Sequence, residues 1–275
     1  KEYLDPDRIE TIVKKYSDHI AQPVSLKSMK KGEEDKVLNN ASALWTRDKK
    51  DITAEQYKEF YHHVGMAYDD PWLTLHNKAE GLISYTSLVF IPSNRPFDIF
   101  NPDRKANLKL YVRRVFIMDN CEELVPEYLN FVSGIVDSED LPLNISREIL
   151  QEHQLVDSIK KAATKRMLDS LKDLKNNSFD KYKQFWDEYG LVLKEGPAED
   201  HENKEAIASL MLFASTYSNV NSVNQSLDDY VGRMKSDQDK IYFYSILEEI
   251  LPLVSFQDFY TTIKYCRDYQ FYVQV

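Results

Sequence analysis

The sequence predicts an α/β (α+β) protein with an α-β-α layered sandwich subdomain, connecting helices and then a smaller second α/β subdomain. Two observations lead to this prediction. In the first half of the chain, short runs rich in β-forming residues alternate with amphipathic helical stretches, which is typical of layered α/β folds. From residue 146 to residue 189, apolar residues instead recur at helical spacing. A chain of 275 residues can bury one large core or two moderate ones.

The start of the chain predicts a helix over residues 1–22 and a strand-like stretch over residues 23–26. Residues 27–40 are mostly charged and carry almost no apolar side chains, so they are interpreted as a linker. The first helix is supported by apolar residues at the helical period, namely Ile9, Ile12, Val13, Tyr16 and Ile20.

Residues 53–66 carry a full set of helix signals. Thr53 is of a type preferred at the N-cap, and Gln56 occupies the third helical position, as in a capping box. The apolar stripe expected to face the core consists of Tyr57, Phe60, Tyr61 and Val64.

Three strands are predicted from runs of β-branched and aromatic residues. The first covers residues 85–91 and the third covers residues 131–136. The second, over residues 108–118, is predicted as one continuous strand with two faces. Neighbouring side chains in a strand point to opposite faces, so Arg113 and Arg114 are expected on opposite sides of the sheet.

The second half is predicted to be mainly helical at first and mixed later. A break at residues 176–178 should divide the helical stretch 146–189 into two helices. A further helix is predicted over residues 202–216. Ser226 is then expected to cap a short turn that leads to a strand at residues 240–244.

Composition excludes several classes of function. The net charge of −10 argues against a nucleic-acid-binding protein, because such binding depends on neutralising phosphates. No apolar run approaches the roughly 18 residues of a membrane span, and the first twenty residues do not resemble a signal peptide. The two cysteines lie far apart in sequence, which fits a reducing compartment and provides no zinc ligand set. We therefore expect a cytoplasmic protein.

The segment from Asp140 to Gln151 contains the most informative residue, Arg147. With Ser146 as N-cap, Arg147 lies in the first turn of a helix, where the helix dipole makes a cation unfavourable by roughly 0.3–1 kcal/mol. A residue that is unfavourable for the local structure at a loop-to-helix junction often has a functional role. The structural alternative is that Arg147 pairs with Glu139 or Asp140, and the residues alone leave both interpretations open.

Other signatures of chemistry are missing from the sequence. The chain has seven glycines but no glycine-rich phosphate-binding pattern, and no catalytic triad stands out. The adjacent His62 and His63 project about 100° apart on a helix, so they are not expected to bind a metal together. The sequence therefore predicts no metal site and no nucleotide pocket within this chain.

Many spaced motifs together resemble the middle segment of the 90-kilodalton heat-shock chaperone family, and details such as residues 191–200 are closest to its bacterial branch. The resemblance extends over about residues 1–243. Its motifs are Ala43–Arg47, Tyr85–Pro92, Pro96–Phe100, Leu108–Asp119, Glu127–Arg147, Asp140–Gln151, Gly190–Asp200, Ser226–Met234 and Lys240–Tyr242.

The resemblance implies a division of the chain. Residues 1–26 would be the C-terminal end of an ATP-binding domain and residues 27–42 a charged linker. Residues 43–145 would form the large subdomain of the middle domain and residues 146–200 the connecting helices. Residues 201–275 would form the smaller subdomain, although residues 244–275 depart abruptly from the family pattern. We interpret that departure as a frameshift or another sequence artefact, with true divergence as the alternative.

The resemblance also implies a role in ATP hydrolysis. Arg147 would reach the γ-phosphate of an ATP that the N-terminal domain holds, with Asn144 and Gln151 as supporting loop residues. ATP and Mg would belong to the full-length protein, whose ATPase this fragment would complete without being an enzyme itself. For Asn144 and Gln151, loop and helix capping are the structural alternatives.

The implied partners are unfolded or partly folded client proteins, the protein's own N-terminal domain and, through a C-terminal domain absent here, a second copy. Neither nucleic acid nor membrane is expected. Client or interdomain contacts are expected from Trp45, Phe116, Arg113 and Arg114, with core packing as the alternative for the two aromatic residues. Two other classes of function stay open, namely a stand-alone α/β hydrolase or transferase and a non-catalytic protein-binding adaptor.

Overall fold

A computed structural model defines the fold over residues 5–28, 34–81, 83–101, 104–144, 154–215, 217–218, 222–238, 240–244 and 272–274. The chain divides into two compact units. The first unit comprises Lys1–Ser93, Lys105–Val125 and Phe131–Ala163. The second unit comprises Asn94–Arg104, Pro126–Asn130 and Thr164–Val275.

A mixed five-stranded sheet is the centre of the first unit. Its strands lie in the order β3-β4-β7-β5-β6. Only β5 and β7 are parallel, and the other neighbours are antiparallel. The strands are β3 (Pro71–Ala79), β4 (Tyr85–Pro92), β5 (Asn107–Val112), β6 (Val115–Met118) and β7 (Ser133–Ser138). The α/β fold predicted from the sequence is confirmed.

Helix α2 (Ala54–Gly65) packs on this sheet as its sequence predicts. The Thr53 hydroxyl accepts the N–H of Gln56, and the Gln56 side chain accepts the N–H of Thr53, which completes the capping box. Tyr61 and Val64 are buried on the sheet side. The core that they join also contains Ala43, Trp45, Leu88, Phe90, Tyr111 and Ile135.

Helix α1 (Pro6–Tyr16) is shorter than the predicted helix over residues 1–22. Asp5 caps its start through the N–H of Asp7, and Pro6 suits the first helical position. Beyond the helix, β1 (Ser25–Leu26) pairs with β2 (Lys36–Val37). The end of the stretch interpreted as a charged linker thus contains a strand.

The predicted strand over residues 108–118 is wrong in one respect, because it is a hairpin. β5 and β6 are joined by a two-residue turn in which Arg113 and Arg114 have φ values of 50° and 66°. Two positive φ values fit the mirror-image turn that matches strand twist, normally built from Asn and Gly. Arginine is not typical of such turns, so the β-forming residues on both sides of Arg113 and Arg114 predicted one continuous strand. The two side chains therefore belong to a turn and not to opposite faces of one strand.

Strand β3 has no counterpart among the strands predicted from the sequence. This strand lies at the edge of the sheet, and its residues are only partly buried apart from the exposed Lys78. An edge strand with one neighbour lacks the strong apolar alternation of a central strand such as β4, which is buried almost throughout.

The second unit contains most of the helices. They are α3 (Gln154–Asn177), which belongs to this unit from Thr164 onward, α4 (Phe179–Leu193), α5 (Gly196–Glu199), α6 (Lys204–Leu210) and α7 (Leu227–Val231). The predicted break between the first two falls at Ser178. Ser226 forms a capping box with Asp229 at the start of α7, as its sequence suggests.

A four-stranded sheet in the second unit has the order β10-β11-β8-β9. Its strands are β8 (Phe213–Ser215), β9 (Val223–Gln225), β10 (Tyr242–Tyr244) and β11 (Tyr272–Gln274). The helix predicted over residues 202–216 is therefore too long. It ends at Leu210, because Met211 takes an extended conformation and the buried residues that follow pair as β8.

Within the described part of the chain, no helix is both long and apolar enough to cross a membrane.

The strained turn generates the first prediction. Replacing Arg113 by Asn and Arg114 by Gly together should raise the free energy of unfolding of this chain by about 1 kcal/mol. Positive φ costs about 1–3 kcal/mol for ordinary residues, and the loss of one arginine hydrogen bond offsets part of the gain. Urea denaturation measures the change. The matched control, alanine at both positions, keeps the strain and should be less stable than the wild type. A double variant with Asn and Gly that is no more stable than this control would show that the turn is unstrained.

Candidate functional site

Some of the residues proposed for function lie at one end of the sheet in the first unit, where β7 ends. Arg147 and Gln151 lie outside the described residues. Asn144 is exposed in the turn that closes the described stretch before them. Trp45, Arg113 and Arg114 meet the end of β7, so the structure brings these three together.

Asp137 on β7 links these residues. Its carboxylate is 5% exposed and accepts two hydrogen bonds. The indole N–H of Trp45 donates to Oδ2 over 2.8 Å, and the backbone N–H of Arg114 donates to Oδ1 over 3.1 Å. Burial raises the pKa of the Asp137 carboxyl, and these two hydrogen bonds, which favour the charged form, oppose that rise. The result is a buried acid whose two oxygens are both bonded to neighbouring elements.

Trp45 packs in the core and does not offer a surface for clients. Its side chain is 1% exposed. Its ring lies 4.8 Å from the ring of His19 and 5.0 Å from that of Tyr111, measured between centroids. Of the two interpretations that the sequence left open for Trp45, the structure favours core packing. A bulky ring after a charged segment is buried here because the turn Leu44–Thr46 folds back onto the sheet.

Phe116 on β6 also packs against this core while part of it remains exposed. Its ring lies 5.6 Å from that of Tyr111 and 5.9 Å from that of Tyr16 on α1. Aromatic contacts at these distances stabilise packing beyond the buried area alone. Phe116 therefore joins α1 to the sheet.

His76 on β3 is hydrogen-bonded to the backbone of Trp45. Its Nε2 lies 2.8 Å from the carbonyl oxygen of Trp45, and its Nδ1 lies 2.8 Å from the hydroxyl of Tyr57. A carbonyl can only accept, so Nε2 carries the proton, and Nδ1 accepts from Tyr57. Burial lowers the pKa of His76, although the hydrogen bond to Trp45 acts in the opposite direction. The imidazole is thus held neutral in one tautomer.

The residues after Asp137 are fixed by a second set of hydrogen bonds. The hydroxyl oxygen of Ser138 accepts the N–H groups of Asp140 and Leu141, both over 3.3 Å. The Asp140 carboxylate accepts the N–H of Ser84 over 2.7 Å. Arg113 donates its N–H to the carbonyl of Ser138 and its Nε–H to the carbonyl of Glu139, each over 3.1 Å. The chain is therefore anchored by hydrogen bonds from Ser138 to Leu141, six positions before Arg147.

A half-open polar cavity of about 560 Å³ lies at this anchor. Cations and carboxylates share its wall, so it can receive a partner surface that carries both signs of charge. Its lining residues are Ala21, Gln22, Thr46, Lys78, Thr86, Arg113, Arg114, Asp137, Glu139 and Asp140. Among the described residues, no three His, Cys, Asp or Glu side chains are grouped so as to hold a metal ion.

Sequence reasoning missed Asp137 and His76, which connect the site. One signal for Asp137 was present, since an acid directly follows the apolar run Phe131–Val136 and would be buried if the strand continued. No signal marked His76, because β3 itself was not predicted.

Comparison with known proteins agrees with this architecture. The sequence model of the Hsp90 protein family matches residues 27–249. The chain is 57% identical over 241 residues to the chaperone protein HtpG of Paramagnetospirillum magneticum, covering 88% of this chain and 38% of that protein. It is 51% identical over 247 residues to the chaperone protein HtpG of Escherichia coli, covering 88% and 40%.

The fold is also similar to a solved structure, the middle domain of a Plasmodium falciparum heat shock protein. The TM-score is 0.63 at 36% sequence identity, and the match covers 73% of this chain and 76% of that one. The fold is thus that of a chaperone middle domain. The chain belongs to the Hsp90 family, and its bacterial relatives are HtpG chaperones. It spans about two fifths of the length of the curated relatives it matches.

The neutral state of His76 predicts a pH effect on stability. Its folded pKa lies below the usual 6.5, so the unfolded chain takes up a proton first as the pH falls. The free energy of unfolding of the wild type should therefore decrease below about pH 6.5 by more than that of His76→Gln, which cannot titrate. Urea denaturation at about pH 7.5 and about pH 5.5 measures the difference. The control is His63→Gln, which removes an exposed histidine of α2 and should lose as much stability as the wild type. Equal losses in the wild type and His76→Gln would contradict the assigned neutral state.

Proposed function

We propose that this chain is the middle segment of an ATP-dependent chaperone, and that it supplies Arg147 to the γ-phosphate of an ATP held by the N-terminal domain. The observation that supports this most is the anchored base of the loop. Residues 138–141 are held by hydrogen bonds to Arg113 and Ser84, only six positions before Arg147. A charged group can be delivered reproducibly only from a fixed base.

An arginine suits this task for chemical reasons. Its guanidinium stays charged at all relevant pH values and presents a rigid set of donors to phosphate oxygens. Charge that develops on the γ-phosphate during hydrolysis is stabilised by such a cation, which contributes roughly 10³–10⁵ in rate in dedicated arginine-finger enzymes. Asn144 and Gln151 would support the loop on either side of Arg147.

The division of the chain follows from this proposal. Residues 1–26 would end the ATP-binding domain and residues 27–42 would link it to the middle domain. The large subdomain, residues 43–145, would present Arg113, Arg114 and the exposed part of Phe116 to the ATP-binding domain. Residues 146–200 would connect it to the smaller subdomain, residues 201–275.

Client binding is proposed on the surface of the segment. Three large apolar side chains are fully or mostly exposed, namely Met66 at 80%, Tyr68 at 101% and Phe97 at 101%. Apolar side chains that face solvent can contact the apolar segments of a client protein. Partly folded clients present apolar segments of the same chemistry. In the cell we propose a cytoplasmic homodimer that dimerises through a domain beyond this segment.

ATP and Mg would be held by other parts of the full-length protein. The sequence has no glycine-rich phosphate cradle, and no metal-binding group of acids, histidines or cysteines occurs in the described ranges. The described residues therefore form no site for a metal ion, and no step through a metal ion is assigned to them. The sequence has no recognisable nucleophile motif, so we do not propose a stand-alone hydrolase.

Arg147→Ala in the full-length protein should lower kcat for ATP hydrolysis by roughly tenfold or more, while the affinity for ATP stays almost unchanged. The reason is that an interaction made mainly in the transition state lowers kcat without weakening ground-state binding. Steady-state turnover and calorimetric binding give the two quantities. Arg166→Ala, at an exposed arginine of α3, serves as the control and should keep wild-type turnover. Unchanged turnover in Arg147→Ala would mean that Arg147 is a structural residue.

The isolated chain should show no measurable ATP binding by calorimetry at millimolar nucleotide, because it carries no phosphate-binding loop. The separately prepared N-terminal domain is the positive control and should bind ATP on its own. Micromolar binding by the isolated chain would overturn the assignment of the ATP site to another domain.

A further inference from the structure

A continuous series of hydrogen bonds crosses the first unit and ends at the base of the loop. It begins at the Tyr57 hydroxyl on α2, passes through the His76 ring on β3 and reaches the carbonyl of Trp45. The indole of Trp45 then donates to Asp137 on β7, which accepts the N–H of Arg114 in the β5–β6 turn. The five residues come from five separate parts of the chain.

Each bond in this series has one direction. Tyr57 donates to Nδ1 of His76, and Nε2–H of His76 donates to the carbonyl of Trp45. Trp45 and Arg114 donate N–H groups to the two oxygens of Asp137. Both ring nitrogens of His76 and both carboxylate oxygens of Asp137 therefore have a hydrogen-bond partner.

The last residues of the series, Asp137 and Arg114, hold the turn that anchors the base of the loop. Asp137 holds the turn through the N–H of Arg114, and the neighbouring Arg113 holds the carbonyls of Ser138 and Glu139. Ser138 in turn accepts the N–H groups of Asp140 and Leu141. A shift of Trp45 would move Asp137 and, through the turn, the first residues of the loop.

We propose that His76 is a positioning residue for the loop arginine, acting through Trp45 and Asp137; this rests on the proposed function of Arg147. His76 fixes the backbone of Trp45, so that the indole N–H stays directed at the Asp137 carboxylate. The carboxylate then keeps the arginine turn and the loop base in one position. Arg147 delivers its charge from that base.

The test compares two substitutions at His76 in the full-length protein. His76→Leu removes the donor to the Trp45 carbonyl, whereas His76→Gln retains an amide N–H that can reach it. We expect His76→Leu to lower kcat for ATP hydrolysis about fivefold or more, as for a buried acceptor left unsatisfied, with ATP affinity unchanged. His76→Gln should stay within about twofold of the wild type. Equal losses of kcat in both variants would overturn the positioning role, because a merely structural site would not distinguish them.

Controls separate positioning from a folding defect. His63→Leu places the same substitution at an exposed histidine of α2 and should leave kcat at the wild-type value. Thermal melts of all variants establish that they fold. Should His76→Leu fail to fold, Tyr57→Phe carries the test, since it deletes only the hydroxyl that donates to His76. A lower kcat in Tyr57→Phe with unchanged ATP affinity supports the proposal, and an unchanged kcat overturns it.

A double variant distinguishes failure of this proposal from failure of the proposed function. If His76 acts through Arg147, the variant with Arg147→Ala and His76→Leu should be no slower than Arg147→Ala alone. If the double variant is instead slower than Arg147→Ala by the same factor that His76→Leu causes alone, the positioning role is overturned and the role of Arg147 is left intact. Wild-type turnover in Arg147→Ala alone would instead overturn the proposed function.

Discussion

The first unit depends on the hydrogen bond between the Trp45 indole and the Asp137 carboxylate. Asp137 is 5% exposed, and a carboxylate buried in this way would be costly if it were unpaired, by several kcal/mol. Two N–H donors offset that cost, one from Trp45 and one from the Arg114 backbone. Removal of either donor would leave the acid partly unsatisfied, so the turn that carries Trp45, the end of β7 and the β5–β6 hairpin are constrained together.

The arginine turn shows how such a constraint can maintain local strain. Arg113 and Arg114 both have positive φ, a conformation that Asn and Gly adopt at lower cost. The turn persists because Asp137, Ser138 and Glu139 accept N–H groups from these two residues. Two guanidiniums are thereby displayed at the wall of the polar cavity, next to the start of the loop. A turn of Asn and Gly would be relaxed but would carry no charge there.

The same arrangement provides a rigid base for the proposed mechanism. The sheet, Trp45 and the residues up to Leu141 form a fixed base built from buried aromatic packing and satisfied hydrogen bonds. A loop arginine that must reach a phosphate in another domain needs such a base, because rate depends on placement to within about an ångström. Hydrogen bonds within one unit can set that placement without any ligand in this chain.

The sequence by itself determined the α/β class, helix α2 with its capping box, strands β4 and β7, and the break between α3 and α4. These features depend on local signals, namely apolar periodicity and capping residues, which are complete within a few positions. It also carried the motifs by which the chain belongs to the Hsp90 family. The role of Arg147 and its neighbours stays a prediction.

Only the tertiary structure decided that residues 108–118 form a hairpin, that β3 is an edge strand and that Trp45 is buried. The physical reason is the same in each case. The conformation of Arg113 and Arg114 is stabilised by acceptors more than twenty positions away in sequence, and β3 exists because β4 pairs with it. Trp45 meets its acceptor on Asp137 across 92 positions. Contacts between distant residues leave no periodic pattern in the sequence that local rules could detect.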